Sequence, residues 1–555
     1  MDLSGQWIKA ISDLRKAKNS KDQLEFLWVC HQLPVNSPGI LRLYHDALLF
    51  VCAYPFSTAA SKTAMAELRK LAETCHKHQN KRKWQLSLSG TGIPFSEIYC
   101  QFSLHMVNWM FEKFPGKVKP AEIEENEKVS QAICRTVLPG IEFYLINEGA
   151  KSTRRRIKLL SGHNLNTEAV KWLVQLICHQ SFKPVLQDYL YDLLKIYVSW
   201  PLTDDVWNRS FLRWPCSDLF IHKQLVQKIN VTQLVQRPVQ EPGFLSKKDK
   251  DHLISVMKAS LAFYMRETDP VTYADTHETC LFDMGEGLKI ALTGMKKEHR
   301  LSVESYVGFM AFKNGVPVAY GGGWIFGFRC KIGVNVYHPF RGGESEKLFC
   351  QVMRLYFQRF GVRKFVVKPY QFGKGNIDGL KSGAFWFYYK LGFRSVNNNI
   401  RFMASEEWKK ISADKGYRTS LSRLKKFSES NISWQPVKKK IVDVEAELIS
   451  IKVTQMIIQK FHGDRQKAIS SCMRFMRSKM GLSLSGISKT EKQVWQNWSL
   501  IFYLLPDVEY WTHTQLIAFS RIVRLKANGK EKDSNVALQK HSAFWSSAEK
   551  LSVLF

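Results

Sequence analysis

The chain of 555 residues lacks the patterns that mark secreted, membrane-spanning and zinc-binding proteins. No apolar run approaches the ~20 residues needed to cross a bilayer, and the N-terminal Met-Asp-Leu-Ser-Gly-Gln-Trp carries no apolar signal region. The 11 cysteines form no C-x-x-C pair and no Cys/His cluster at zinc spacing. We therefore expect buried thiols in a reducing compartment, no bound metal and a cytoplasmic protein.

Several catalytic motifs are also missing. The sequence contains no Walker P-loop, no G-x-S-x-G elbow and no H-E-x-x-H helix. Nucleotide hydrolysis, serine hydrolase chemistry and zinc proteolysis therefore have no positive support in the sequence.

Acidic residues are scarce relative to basic ones, with 49 Asp and Glu against 81 Lys and Arg, for a formal net charge of +32. This excess would attract RNA, DNA or an anionic membrane surface. The alternative is that the charge is spread over solvated faces. Basic runs at residues 81–83, 154–156 and 438–440 are candidate patches, but no diagnostic RNA-binding motif accompanies them.

The chain is long and apolar enough for several hydrophobic cores, since 45% of it is hydrophobic, and we expect two to four domains. The predicted fold class is α+β and multidomain. We assign a helical N-terminal region to residues 1–236, a linker to 237–251, a mixed α/β domain to 252–408, a basic connector to 409–440 and a helical C-terminal region to 441–555. The helical assignments rest on apolar residues spaced three and four apart, and the linker on two prolines, a glycine and a charge run.

The central domain changes to strand-like patterns. Residues 305–312 and 316–324 predict two strands joined by the tight turn Lys-Asn-Gly at 313–315, and residues 329–337 predict a third. Three consecutive glycines at 321–323 within the second strand indicate close approach of a ligand or another backbone, or a bulge.

A candidate anion-binding turn follows the third strand. The segment Pro-Phe-Arg-Gly-Gly at 339–343 precedes an amphipathic helix over 346–360, and residues 364–368 predict a buried strand. A helix N-terminus presents unpaired N–H groups and a partial positive charge, both suited to a pyrophosphate. Arg341 would add a positive charge there.

Two segments together resemble the GNAT acyltransferase superfamily. The turn at 339–343 with its helix is similar to the family's coenzyme A pyrophosphate loop. The segment Ala-Phe-Trp-Phe-Tyr-Tyr-Lys-Leu-Gly-Phe-Arg-Ser at 384–395 resembles the family's helix that ends in Tyr-x-Lys-Leu-Gly-Phe before a strand. Residues 314–394 also resemble a group of bacterial proteins with no assigned activity. The resemblance covers about a quarter of the chain.

The resemblance implies a mixed sheet whose third strand separates from the next one and pairs its backbone with the pantetheine arm of acyl-coenzyme A. It places Tyr388 as the donor of a proton to the departing thiolate, while Tyr389 points elsewhere. Glu304 and His338 are the candidate general bases for an amine acceptor. The implied donor-binding residues belong to the third strand and the turn: Asn335, Val336, Tyr337, Arg341, Gly342, Gly343 and Ser345.

Two departures from the family pattern leave alternatives open. Glu344 and Glu346 flank Ser345, where a carboxylate inside a pyrophosphate cradle would be unfavourable, by about 4 kcal/mol for like charges ~4 Å apart. Alternatively both acids lie in the first helical turn and face away from the ligand. An insertion at 370–381 lengthens the segment before Tyr388.

The leading hypothesis is transfer of an acyl group from acyl-coenzyme A to an amine. The second is a catalytically silent GNAT-like module that binds nucleic acid or a protein partner. The third is transfer from an aminoacyl-tRNA, for which related folds provide the precedent.

Overall fold

The computed structural model describes residues 3–179, 182–226, 228–414, 416–437 and 441–553. It is a mixed helix and strand structure with helical terminal regions and a sheet in the centre, as the sequence predicts. The basic run 438–440 lies outside the described residues. Among the described helices, none is long and apolar enough to cross a membrane.

The N-terminal region begins with five helices that pack against one another. They are α1 (Leu3–Lys16), α2 (Ser20–Gln32), α3 (Pro38–Ala53), α4 (Thr58–His78) and α5 (Arg82–Leu88). Helices α2, α3 and α4 each begin after an Asn or Ser whose side-chain oxygen accepts a backbone N–H of the first turn.

The rest of the N-terminal region is not entirely helical, which corrects the prediction for residues 1–236. Three short strands form an antiparallel sheet in the order β1-β3-β2. The elements are β1 (Glu97–Gln101), α6 (Leu104–Lys113), β2 (Lys119–Ile123), α7 (Glu127–Val137), α8 (Gly140–Gly149), α9 (Thr153–Ser161), α10 (Thr167–His179), α11 (Pro184–Asp192), β3 (Ile196–Pro201) and α12 (Val231–Gln236).

The central region forms an eight-stranded sheet that begins earlier and ends later in the chain than the sequence predicts. Its elements are α13 (Lys247–Ala262), α14 (Asp269–Thr272), β4 (Cys280–Asp283), β5 (Leu288–Thr293), β6 (Ser305–Lys313), β7 (Val316–Phe326), β8 (Arg329–Val336), α15 (Ser345–Phe360), β9 (Lys364–Val367), α16 (Ile377–Lys381), α17 (Ala384–Lys390), β10 (Arg394–Ser395), α18 (Asn398–Ala413), α19 (Leu421–Phe427) and β11 (Ile432–Trp434). Helix α13 begins inside the predicted linker, where Ser246 and Asp249 form a capping box.

The strand order is β10-β11-β9-β8-β7-β6-β5-β4. All neighbouring strands are antiparallel except β8 and β9, which are parallel and joined through α15. Strand β11 lies between β9 and β10, so part of the predicted connector 409–440 completes this sheet.

Both faces of the sheet are covered at β6. Phe309 and Ala311 of β6 belong to one apolar cluster with α15 and the N-terminal helices, whereas Met310 and Phe312 belong to another with α13 and the small sheet. This division follows from the alternation of side chains along a strand. Neither face of β6 is therefore left open to solvent.

The described residues 441–553 of the C-terminal region form six α-helices with an apolar cluster of their own. They are α20 (Ala446–Phe461), α21 (Arg465–Met480), α22 (Lys489–Leu504), α23 (His513–Asn528), α24 (Glu531–Gln539) and α25 (Ser542–Val553). They dock on the β7–β8 hairpin, where Phe326 packs against Trp545. Gly327 has φ +55°, and a Cβ there would lie 2.2 Å from the Trp545 ring, so this contact requires glycine.

The three glycines at 321–323 are explained by close packing within the sheet. A Cβ on Gly321 would lie 2.1 Å from the carbonyl oxygen of Gly333, and one on Gly323 would lie 2.5 Å from the Tyr356 ring. The irregularity in the β6–β7 pairing falls between Ala311 and Phe312 instead. The close approach that the sequence predicts is therefore made by the chain itself.

Candidate functional site

Strands β8 and β9 separate soon after they meet. They pair over three residue pairs only, from Arg329–Lys364 to Lys331–Val366. Beyond that point β8 continues to Val336, but β9 ends and Pro369 begins a 3₁₀ turn that runs to Phe372. Proline has no N–H for a strand ladder, so the pairing cannot continue through it.

A cavity of about 170 Å³ lies where the two strands diverge. We call this place the fork and define it by its lining residues, which are Trp324, Lys331, Ile332, Gly333, Lys368 and Gln371. A Cβ on Gly333 would lie 2.9 Å from Gln371 Nε2, so a larger residue there would collide with the far end of that side chain. The fork is thus bounded by Gly333 of β8 on one side and by the flexible side-chain amide of Gln371 on the other.

The predicted donor-binding residues of β8 lie past the fork. Asn335 is exposed and pairs with Tyr320 of β7, and Val336 pairs with Ala319. The side chain of Tyr337 is buried and stacked on Tyr264, with ring centroids 4.1 Å apart. Its hydroxyl group has no hydrogen-bond partner among the described residues. The backbone of Tyr337 is also engaged, because its N–H donates to the Val318 carbonyl oxygen over 3.0 Å and its carbonyl oxygen accepts from the Phe340 N–H over 2.9 Å.

The predicted pyrophosphate turn is open on one side and covered on the other. Arg341 is exposed, and its Nε lies 3.3 Å from the Val336 carbonyl oxygen, to which it donates. Gly342 has φ +85°, and a Cβ there would meet no atom within 4 Å. At Gly343, by contrast, a Cβ would lie 2.9 Å from the Tyr54 ring that follows α3. The close packing at Gly343 therefore serves the N-terminal helices.

Helix α1 also reaches this turn. Arg15 Nη2 donates to the carbonyl oxygen of Arg341 over 2.9 Å and to that of Pro339 over 3.2 Å. These bonds fix the backbone of the turn and leave the Arg341 side chain outside. Ser345, at the start of α15, is partly exposed beside the turn.

Glu344 points into the protein, away from Arg341. Its Oε2 accepts a hydrogen bond from Lys313 Nζ over 2.9 Å, and its Oε1 accepts one from the Val226 backbone N–H over 3.2 Å. Both side chains of the pair are nearly inaccessible, at 3% and 5% exposure. Burial acts to raise the pKa of Glu344, but Lys313 outweighs it and holds that pKa below its ordinary value. The charge that the sequence places in the turn is therefore neutralised internally, whereas Glu346 lies in the first turn of α15 and is partly exposed.

Tyr388 lies on α17 in an aromatic cluster. Its ring contacts Phe349 of α15 at 5.6 Å and Phe372 at 6.4 Å, measured between centroids. Burial raises the pKa of Tyr388 above its ordinary value, so the phenol keeps its proton at neutral pH. Tyr388 is 2% exposed and does not line the fork; the connection between them is Phe372, the neighbour of the lining residue Gln371. The adjacent Tyr389 faces the Arg394 guanidinium, 3.6 Å from its ring centroid.

The two candidate bases lie in different places. Glu304 bonds to Lys331 of the fork, with Oε1 and Nζ 2.7 Å apart, and burial raises its pKa above the ordinary value. His338 is 67% exposed and faces Asp46 of α3, at 3.6 Å between Nδ1 and Oδ2. The structure thus brings Glu304 to the fork and leaves His338 at the junction with the N-terminal helices.

An acidic segment at residues 443–447 contacts the fork, although no sequence pattern singled it out as part of a site. Glu447 Oε1 lies 2.8 Å from Lys331 Nζ and 3.1 Å from Lys368 Nζ, and both lysines line the cavity. Asp443 and Glu445 pair with Arg329 at the start of β8. The signal available in the sequence is the alternation Asp-x-Glu-x-Glu immediately after a basic region.

A further constellation resembles a catalytic triad but does not provide a nucleophile. His45 Nε2 lies 2.8 Å from Ser210 Oγ, and Asp46 Oδ1 lies 3.3 Å from Nδ1. Arg209 Nη2, which can only donate, is 3.1 Å from the same Nδ1, whereas the Asp46 carboxylate can only accept, so the two neighbours of Nδ1 favour opposite tautomers. His45 is 0% exposed and Ser210 is 1% exposed, so the Ser210 hydroxyl group is not accessible to a substrate.

No cluster of three or more His, Cys, Asp or Glu suited to a metal ion occurs within the described ranges. The chain matches no protein-family model, no curated protein and no solved structure.

Proposed function

We propose that the protein is an acyltransferase with a GNAT-like central domain, which moves an acyl group from acyl-coenzyme A to an amine. The observation that carries the proposal is the separation of β8 from β9 after Lys331, with a cavity at the point of divergence. An extended strand edge beside a cavity suits a thin, amide-containing chain such as pantetheine, because strand backbone can pair with amides.

The strand order supports the same proposal. Three antiparallel strands, β6, β7 and β8, are followed by α15 and by the parallel strand β9. This is the arrangement that the resemblance at 339–343 and 384–395 implies. The donor would lie along β8, with its phosphates near Arg341 and Gly342 and its thioester at the fork.

The residues that would perform the chemistry are Glu304 and Tyr388. Glu304 accepts a proton from the substrate ammonium, and the amine nitrogen then forms a bond to the thioester carbonyl carbon. As the C–S bond breaks, Tyr388 gives its phenolic proton to the thiolate. After the bond has formed, the nitrogen loses a second proton, which passes through solvent to the Tyr388 phenolate. Glu304 releases its own proton to solvent, and both residues are then in their starting states.

The size of the fork favours a short acyl group. Sites for drug-sized ligands have volumes of roughly 300–1,000 Å³, whereas the fork has about 170 Å³. We therefore expect acetyl or propionyl groups to be transferred and long acyl chains to be excluded.

Thermal shift and turnover measurements with acetyl-coenzyme A test the proposal. We expect stabilisation of the wild-type protein at ligand concentrations well above Kd and release of free thiol with an amine acceptor. Gly333→Val should abolish both by filling the fork. Arg341→Glu should weaken donor binding, whereas Arg69→Glu on the exposed face of α4 should leave it unchanged.

Tyr388→Phe tests the catalytic assignment. It should lower turnover by about 100-fold or more without changing donor affinity, while Tyr389→Phe on the same helix should keep normal turnover. Wild-type protein that shows neither stabilisation nor thiol release would contradict the acyltransferase proposal.

A further inference from the structure

The basic run 154–156 divides into one buried arginine and two exposed ones. Arg156 is 1% exposed and donates to Ser130 Oγ over 2.8 Å and to Glu127 Oε1 over 3.2 Å. Arg154 and Arg155 are exposed on the other side of α9. Arg156 is therefore part of the structure, and the other two arginines are available to a ligand.

An open cleft of about 640 Å³ lies beside these two arginines. Its lining includes Ser152, Arg154, Arg155, Lys158, Leu159 and Asn164. We call it the α9 cleft. Its volume lies within the range of small-molecule sites, roughly 300–1,000 Å³.

The basic side chains of the α9 cleft are not engaged in ion pairs with other described residues. Within the described part of the chain, no ion pair involves the side chains of Arg154, Arg155 or Lys158. The carboxylate of Glu125 accepts instead from the backbone N–H groups of Thr153, over 2.7 Å, and Arg154. Arg154 and Lys158 are four residues apart on one helical face, where like charges repel each other. A bound anion would relieve this repulsion.

We propose that the α9 cleft binds a ligand that carries two or more phosphate groups. Guanidinium groups form paired hydrogen bonds to phosphate oxygens, and an ammonium adds a point charge. Ser152 and Asn164 contribute neutral hydrogen-bonding groups. The cleft is large enough for more than one phosphate, which points to a nucleotide or to the backbone of a nucleic acid. The net charge of +32 favours the approach of either.

Binding measurements on the full chain separate the two sources. One set of titrations uses inorganic pyrophosphate and ADP, and another uses a short single-stranded RNA, at about 50 mM and about 200 mM salt. Saturable binding of pyrophosphate and ADP indicates a nucleotide site. Binding of RNA alone indicates backbone recognition.

The decisive comparison is between two variants that each lose three charges. The first changes Arg154, Arg155 and Lys158 to Gln, and the second changes the three exposed basic residues 81–83 to Gln. We expect the cleft variant to bind at least about tenfold more weakly. For RNA, the slope of log K against log salt concentration should be shallower by about 2 in the cleft variant, since each phosphate contact contributes about 0.7. The 81–83 variant should bind like the wild type.

Equal weakening in both variants, or no binding of any of these probes by the wild type, would overturn the proposal. Circular dichroism and thermal unfolding are the checks that both variants are folded. Stabilisation by acetyl-coenzyme A should survive in the cleft variant, so the failure of this proposal and that of the acyltransferase proposal remain distinguishable.

Discussion

Replacing Glu344 by Gln should destabilise the protein substantially, although the substitution removes only one charge. In the wild type the carboxylate neutralises Lys313 inside the protein, where both side chains are at most 5% exposed. The Gln carbonyl oxygen can still accept from Lys313 or from the Val226 N–H, but the amide nitrogen cannot accept from the other. One donor thus loses its partner, and the ammonium loses its counter-charge.

The expected loss follows from the surroundings of Lys313. Removing one partner of a buried ion pair costs about 3–5 kcal/mol. Lys313 keeps a hydrogen bond to the Glu286 carbonyl oxygen, at 2.8 Å, and lies 5.5 Å from the centre of the Tyr54 ring. Because these contacts remain, we expect the lower end of the range, about 3 kcal/mol.

Guanidinium chloride unfolding near neutral pH, followed by circular dichroism, measures this loss. The control is Glu286→Gln, whose carboxylate is 48% exposed and pairs with Lys347; we expect a loss below about 1 kcal/mol. The double variant with Lys313→Met should be more stable than the sum of the single changes predicts, by about 1.5 kcal/mol or more. A loss below about 1 kcal/mol for Glu344→Gln, or strict additivity in the double variant, would refute the reasoning.

The pH dependence has a defined sign. The folded-state pKa of Glu344 lies below its ordinary value, so its ionised form stabilises the fold above the ordinary carboxyl pKa. This contribution is lost as the pH falls through the lowered pKa. The stability gap between wild type and Glu344→Gln should therefore narrow on acidification.

Three further predictions concern other parts of the fold. Gly327→Ala should lower the free energy of unfolding by about 2–5 kcal/mol, because the backbone is left-handed there and the new Cβ overlaps Trp545, and it should raise protease sensitivity. The control Gly463→Ala, at φ +81° with open space around it, should lower that free energy by about 1–2 kcal/mol. Burial raises the pKa of Glu267 to about 7. In urea unfolding, the wild type should therefore lose on the order of 3 kcal/mol of stability as the pH rises from about 4.5 to above about 7, and Glu267→Gln should lack this loss. Burial acts to raise the pKa of Glu447, but two lysines bring it down to about 2. Because solvent screens this partly exposed carboxylate, acidification should remove only about 1 kcal/mol of stability. Thermal unfolding should show this loss in the wild type but not in Glu447→Gln.

The strands that the sequence predicts are those with strong local signals. Strands β6 and β7 are long and apolar, and the turn between them contains Asn314 and Gly315 at φ +48° and +76°, as a tight hairpin requires. The missed strands include β5, with six residues, and two that are much shorter. Strand β11 has three residues in a basic stretch, and β4 has four, so neither provides enough positions to reveal an alternating pattern.

The contacts of the candidate site are harder to predict, because the charged residues that pair there are distant from each other in the chain. Glu344 could be placed in the turn from its position alone, but its partner Lys313 is 31 residues away. Glu447 and Lys331 are separated by 116 residues. Local patterns show which residues are charged, but not which opposite charge folding brings to them.

The packing at the turn also separates the roles of two adjacent glycines. Gly343 is glycine because the Tyr54 ring occupies the space of a side chain, so its conformation connects the sheet to the N-terminal helices. Gly342 has no such neighbour, but its φ of +85° favours glycine. Without a side chain there, the backbone next to the exposed Arg341 is uncovered on the open side of the turn. If the turn binds the phosphates of an acyl donor, the contacts must therefore come from Arg341, Gly342 and the start of α15. On this reasoning Glu344 does not oppose the donor, because its charge is already neutralised by Lys313 on the inner side of the turn.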